Sequence, residues 1–174
     1  MTIIKACTSG ARLFVGDQPQ RGRFCRARNP QTMRRLQKPT GGLWTSPLQM
    51  IADEQCSPWI RWCREHHFRA GTHRATWILT TTSERSILVI DSASDFANVI
   101  CEYRDLSSPP FLPTLDFERM QFDGFAGLHL TERGCRASRQ SVDGIDFFHW
   151  TVSSTIWFDW IFDEVSVIGS LTQG

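Results

Sequence analysis

HRATWILTTTSERSILVIDSASDFANVICEY, residues 73–103, carries two strand patterns and one helix pattern in succession. Residues 73–82 are rich in β-branched side chains, with Trp77 and Leu79 alternating, which predicts a strand. Residues 86–90 predict a shorter apolar strand. Asp91, Ser92 and Ser94 supply caps for a helix to about Tyr103, with Phe96, Val99 and Ile100 on one face. Strand, strand, helix is not the strict alternation of a doubly wound sheet. The order predicts an α+β chain with mixed, mostly antiparallel pairing.

The flanks extend the same reading. Upstream, Leu13-Phe14-Val15 predicts a short strand, Thr40-Gly41-Gly42 a turn, and residues 43–46 a strand stopped by Pro47. Pro58 suits a first helical position, and Trp59, Trp62, Cys63 and His66 follow at helical spacing to about Phe68. Downstream, residues 107–113 read as a loop, and Thr114 or Asp116 caps a short helix to Gln121. Residues 124–130 read as a strand, 131–144 as a polar loop, and 146–152 and 155–161 as two strands before a weakly patterned tail.

A length of 174 residues suffices for one buried core and is short for two domains. Seven Trp and twelve Phe provide ample large apolar surface for it. The net charge of +1 conceals an asymmetry: residues 1–38 hold nine basic side chains against one acid, Asp17, so the remainder is acidic. The expected division is a basic, loop-rich arm with one short strand at 1–37 and an α+β domain at 38–174. A one-signed block marks contact with nucleic acid, an acidic surface or a phosphate-bearing ligand, which makes 21–38 the candidate surface for a protein or nucleic-acid partner. The competing reading is a solvated arm lying on the acidic remainder of its own chain. Only Phe24 interrupts the densest part of the run.

Six cysteines at irregular intervals, with no apolar leader in residues 1–7, predict free thiols in a reducing compartment, hence a cytoplasmic protein. No apolar run approaches about 18 residues, so no membrane span is expected. The Arg-rich, acid-poor N-terminus also has the composition of an organellar transit peptide.

Few local patterns carry chemistry. Cys56, Cys63, His66, His67 and His73 lie close together in sequence but lack the paired spacings of a zinc site. They read as structural, and no metal is expected. Cys63 and Cys135 are the candidate nucleophiles, the latter beside an Arg that would lower its pKa. Neither glycine-rich phosphate loop occurs. The acidic pairs Asp143/Asp146 and Asp159/Asp163/Glu164 read as solvated.

Four Trp-centred or Gly-centred stretches are more distinctive: residues 38–46 (KPTGGLWTS), 57–63 (SPWIRWC), 122–124 (FDG) and 149–157 (HWTVSSTIW). Together they resemble a poorly described family of small microbial and phage proteins with the ordered motifs K-P-x-G-L-W-x-S, W-x-x-W-C, Y-D-G-I and W-D-x-x-S-x-x-I-W. The resemblance covers residues 38–160. That family in turn resembles the ADP-ribosyltransferase superfamily, which implies a split sheet binding NAD as substrate in a cleft. A first strand there offers an Arg or His, a second an aromatic followed by hydroxyls, and a late strand a Glu. Cleaving the nicotinamide–ribose bond develops oxocarbenium character, which a nearby carboxylate stabilises.

Carried onto this chain, the resemblance implies Trp44, Thr45 and Ser46 as the aromatic–hydroxyl strand, with Trp44 lining the pocket. It implies Arg12 and Gly16 as cofactor contacts on the first strand. Ser46, His149, Thr151 and Ser153 are the implied catalytic candidates. Two positions depart from the pattern. Phe14 or Val15 stands where the first polar anchor belongs, and the late strand holds no Glu, with Thr151 in place of the Asp after Trp. The expectations are therefore a protein binding NAD and transferring ADP-ribose or hydrolysing NAD, or a catalytically inactive relative that acts on a partner through its cleft or basic arm.

Overall fold

The computed structural model describes residues 5–7, 10–30, 38–51, 54–68 and 75–170. In chain order the first elements are β1 (Lys5–Cys7), β2 (Arg12–Gly16), β3 (Leu43–Pro47), β4 (Gln49–Ile51), β5 (Glu54–Cys56) and α1 (Pro58–Glu65). They are followed by β6 (Ala75–Thr80), β7 (Ser86–Ile90), α2 (Ala93–Tyr103), α3 (Phe117–Phe122), β8 (Gly127–Leu130), α4 (Glu132–Ala137), β9 (Ser154–Trp157) and β10 (Glu164–Ser170).

Eight strands form one mixed sheet in the order β1-β7-β8-β9-β3-β2-β6-β10, and β4 with β5 makes a separate hairpin. The pairing is antiparallel except between β7 and β8, whose intervening chain carries α2 and α3. This is the expected α+β class. β2 and β3 are matched over two residue pairs only, Arg12 with Pro47 and Leu13 with Ser46. The sheet is thus two blocks joined by a short seam, and beyond Leu13 the two strands part. β2, from the basic N-terminal stretch, lies inside the sheet between β3 and β6. Residues 26–30 also dock on the body: Arg26 pairs with Asp159 at 3.1 Å, Asn29 donates to Asp116 and Gln121 donates to the Ala27 carbonyl.

Helix starts follow their caps. Ser57, Ser92, Asp116 and Thr131 each accept a hydrogen bond from a main-chain N–H in the first turn of α1, α2, α3 and α4. Phe96, Val99, Ile100, Phe117, Met120 and Cys135 bury the inner faces of α2, α3 and α4 against Leu88, Leu128 and Ile156 of the sheet. On the opposite face Trp157, with no exposed surface, packs with Leu43, Leu79, Ile87 and Phe162. Each such large side chain contributes about 1.5–3 kcal/mol of apolar burial. α1 lays Ile60 over Leu13 and Val15 of β2.

Four sequence expectations need correction. Residues 131–144 are not wholly loop, because α4 forms there. Its Gly134 disfavours a helix in isolation but lets α4 approach β7: a Cβ there would lie 1.9 Å from the Ile90 carbonyl oxygen. Residues 146–152 are not a strand. Trp150 N–H bonds the Phe147 carbonyl, and the two rings, three residues apart, stack at 4.6 Å. The strand expected at 155–161 ends at Trp157. The tail holds β10, which pairs with β6 at the sheet edge, where Val167 and Ile168 stay exposed and blur the alternation. Among the described residues, no helix is long and apolar enough to cross a membrane.

Candidate functional site

Where β2 and β3 separate, a cavity of about 490 Å³ opens. Its walls come from three distant parts of the chain: residues 13–17 of and after β2, residues 44–46 of β3, and residues 149–152 with Ser154 ahead of and within β9. Lys38 and Trp59 complete it. The volume falls within the range of about 300–1,000 Å³ common to small-molecule sites.

The strand geometry explains which expected residues arrive. Gly16, Trp44, Thr45, Ser46, His149 and Thr151 all line the cavity. Arg12 does not. It sits opposite Pro47, where the seam is still paired, and its guanidinium lies 5.6 Å over the Trp157 ring. There its Nε is buried without a hydrogen-bond partner, and burial lowers its pKa. Ser153 does not line the cavity either. Its hydroxyl donates to the Leu130 carbonyl at 3.0 Å, anchoring the chain before β9.

The hydroxyls of the β3 strand are committed to the protein. Ser46 is buried, and its Oγ donates to the Ser153 carbonyl at 2.9 Å and accepts from the Trp59 N–H. Thr45 Oγ1 accepts from Trp157 Nε1 at 2.8 Å. Both fix the wall of the cavity. Trp44 meets Trp150 edge to face at 4.6 Å, and Trp150 in turn stacks on Phe147, so the aromatic floor is rigid and backed by the core.

Three groups supply ionisable chemistry at the cavity: Lys38, Asp17 and His149. Lys38 Nζ lies 5.2 Å over the Trp44 ring, and burial lowers its pKa. Asp17 is exposed, and among the described lining residues it is the sole carboxylate. His149 is exposed and meets the ring of Phe148 edge to face. Sequence reasoning missed Lys38 and Asp17 as site residues. Lys38 opens the 38–46 stretch and could have been found there; Asp17 carries no local signature.

A second polar cluster lies behind the seam. His129 Nδ1 is 2.8 Å from Thr155 Oγ1. Its pKa is pushed down to about 4, first by burial and then by the charge of Arg12.

The other sequence candidates remain dispersed. Among the described residues no group of three or more His, Cys, Asp or Glu side chains is placed to hold a metal ion. Cys56 and Cys63 are buried, the His66 ring nitrogen Nδ1 faces the Trp62 carbonyl at 3.0 Å, and His73 lies outside the described residues. Cys135 is buried, and burial pushes its thiol up to about 11 despite the nearby arginines, the opposite of an activated nucleophile. Arg21, Arg23, Arg26 and Arg28 are exposed, while residues 31–37 lie outside the described residues. Compared with protein-family models, curated proteins and solved structures, the chain finds no match.

Proposed function

We propose that this chain binds NAD in the cavity at the β2–β3 seam, in the manner of an ADP-ribosyltransferase-like protein. The supporting observation is the convergence of residues 13–17, 44–46 and 149–152 with Ser154 on one cavity at the point where the sheet splits. Trp44 offers a rigid aromatic edge for a planar ring, while Gly16, also in the lining, leaves room for the Phe14 ring, 2.9 Å from where a Cβ would stand. If the nicotinamide–ribose bond is cleaved here, Asp17 is the carboxylate that the described lining offers to the developing cation, and His149 and Thr151 are polar groups of the same cavity. Titration calorimetry with NAD tests the reading. Binding that weakens at least about tenfold in Trp44→Ala supports it; no heat at about millimolar NAD, a Kd beyond roughly −4 kcal/mol of affinity, overturns it.

A second reading is a protein that binds without transfer. It is favoured by the position of Ser46, whose hydroxyl is spent on the Ser153 carbonyl, and by the lack of a Glu among the described lining residues. Bound NAD without nicotinamide release, alone or with candidate acceptors, selects this reading. Its partner contact would run through the cleft or through Arg21, Arg23, Arg26 and Arg28. In the latter case association weakens with salt and on neutralising those four residues.

A further inference from the structure

Lys38 is a cation with an incomplete set of partners. Its ammonium has three N–H donors, and the Trp44 ring attracts the charge without accepting three hydrogen bonds. Among the described residues no carboxylate pairs with it, Asp17 of the same cavity included. The adjoining stretch 31–37 contains no acid. A half-buried charge is stable only when something compensates it, and the lowered pKa of Lys38 agrees with an under-compensated ammonium. Among the described residues the cavity wall brings no carboxylate into ion-pair contact with Lys38, which leaves the ammonium open to an anionic ligand. Asp17, by contrast, is exposed and solvated.

We propose that Lys38 is the residue by which the cavity selects an anionic ligand, a phosphate or pyrophosphate ester held against the ammonium with its planar ring near Trp44. This rests on the cavity being the ligand site, as in the NAD reading, but not on the ligand being NAD. Fixing Lys38 over Trp44 limits its rotamers before binding, so the charge is placed in advance rather than recruited from solvent. Trp59, whose main-chain N–H bonds Ser46, lines the same space and closes it on the α1 side.

The test measures binding of four probes, inorganic pyrophosphate, AMP, adenosine and NAD, by calorimetry and by quenching of tryptophan fluorescence. Wild type is expected to prefer AMP over adenosine by at least about tenfold, since the phosphate meets the ammonium. Lys38→Gln is expected to erase that preference, bringing the AMP and adenosine affinities together, and Lys38→Arg to retain it. A folded Lys38→Gln, checked by circular dichroism, that binds AMP and pyrophosphate as wild type does overturns the proposal. So does a wild type that binds adenosine as well as AMP, or that binds neither AMP nor pyrophosphate. Should Lys38→Gln not fold, the salt series on wild type decides: AMP affinity that stays flat from roughly 50 to 500 mM salt overturns the proposal, and a steady fall supports it. Lys38-dependent AMP binding with no NAD binding rejects the NAD reading alone. Equal NAD binding by wild type and Lys38→Gln rejects Lys38 alone.

Discussion

The hydroxyl of Ser46 donates 2.9 Å to the main-chain carbonyl of Ser153, a contact that spans 107 positions of sequence. The same oxygen accepts from the N–H of Trp59 at the start of α1. One buried hydroxyl therefore ties together three walls of the cavity. Replacing it leaves the buried Ser153 carbonyl and the part-buried Trp59 N–H short of a partner. Ser46→Ala should lower stability by about 1–3 kcal/mol, or about 2–12 °C in Tm for a chain of this size. A melt indistinguishable from wild type would show that the bond carries no net stability.

His129 makes the fold sensitive to mild acid. The unfolded chain takes up this proton near pH 6.5, whereas the folded protein resists until about pH 4. The folded pKa is depressed, so the stability is intact above the unfolded value. It is lost progressively as pH falls from about 6.5 towards about 4. The integrated loss is about 3 kcal/mol. Urea unfolding at pH 7.5 and 4.5 should show His129→Gln losing less stability between the two than wild type does. Equal losses would remove His129 as the cause.

Thiol reactivity should separate the cysteines by burial. Cys25 and Cys101 are exposed, while Cys135 is buried with its thiol pushed up to about 11. A disulfide-exchange reagent at neutral pH should label Cys25 and Cys101 quickly and Cys135 only on unfolding. Cys135→Ser should leave the fast phase unchanged. A fast phase that shrinks in that variant would place a reactive thiol where burial forbids one.

Gly134→Ala offers a test in which two effects have opposite sign. Helix propensity alone favours Ala by about 1 kcal/mol. The added Cβ, however, would sit 1.9 Å from the Ile90 carbonyl, and backbone cannot swing aside as a side chain can. Overpacking of this kind costs about 1–3 kcal/mol, so net destabilisation is expected. A raised Tm would mean that α4 can slide off β7 without penalty.

Legibility varied with how local the cause was. The capped start of α2 at Ser92 and the β-branched run at 75–80 were readable because caps and alternation act over a few residues. α4 was not, since its Gly134 is favoured only by the nearness of Ile90. Residues 146–152 read as a strand, although Phe147 and Trp150 are paired by a turn that brings rings three apart into a stack. Within the cavity, Gly16, Trp44, Thr45, Ser46, His149 and Thr151 were named from sequence. Lys38 and Asp17 were not, and Arg12 was named but stands outside.

The sequence by itself determined the elements: apolar period, caps and turn residues set where most strands and helices lie, because those preferences are settled within a turn or a strand length. Only the tertiary structure decided that β2 and β3 share two residue pairs before parting, that Ser46 spends its hydroxyl on Ser153, and that Lys38 stands over Trp44 with no described acid paired to it. Such relations depend on register and on packing between segments far apart in the chain, and no local preference encodes them.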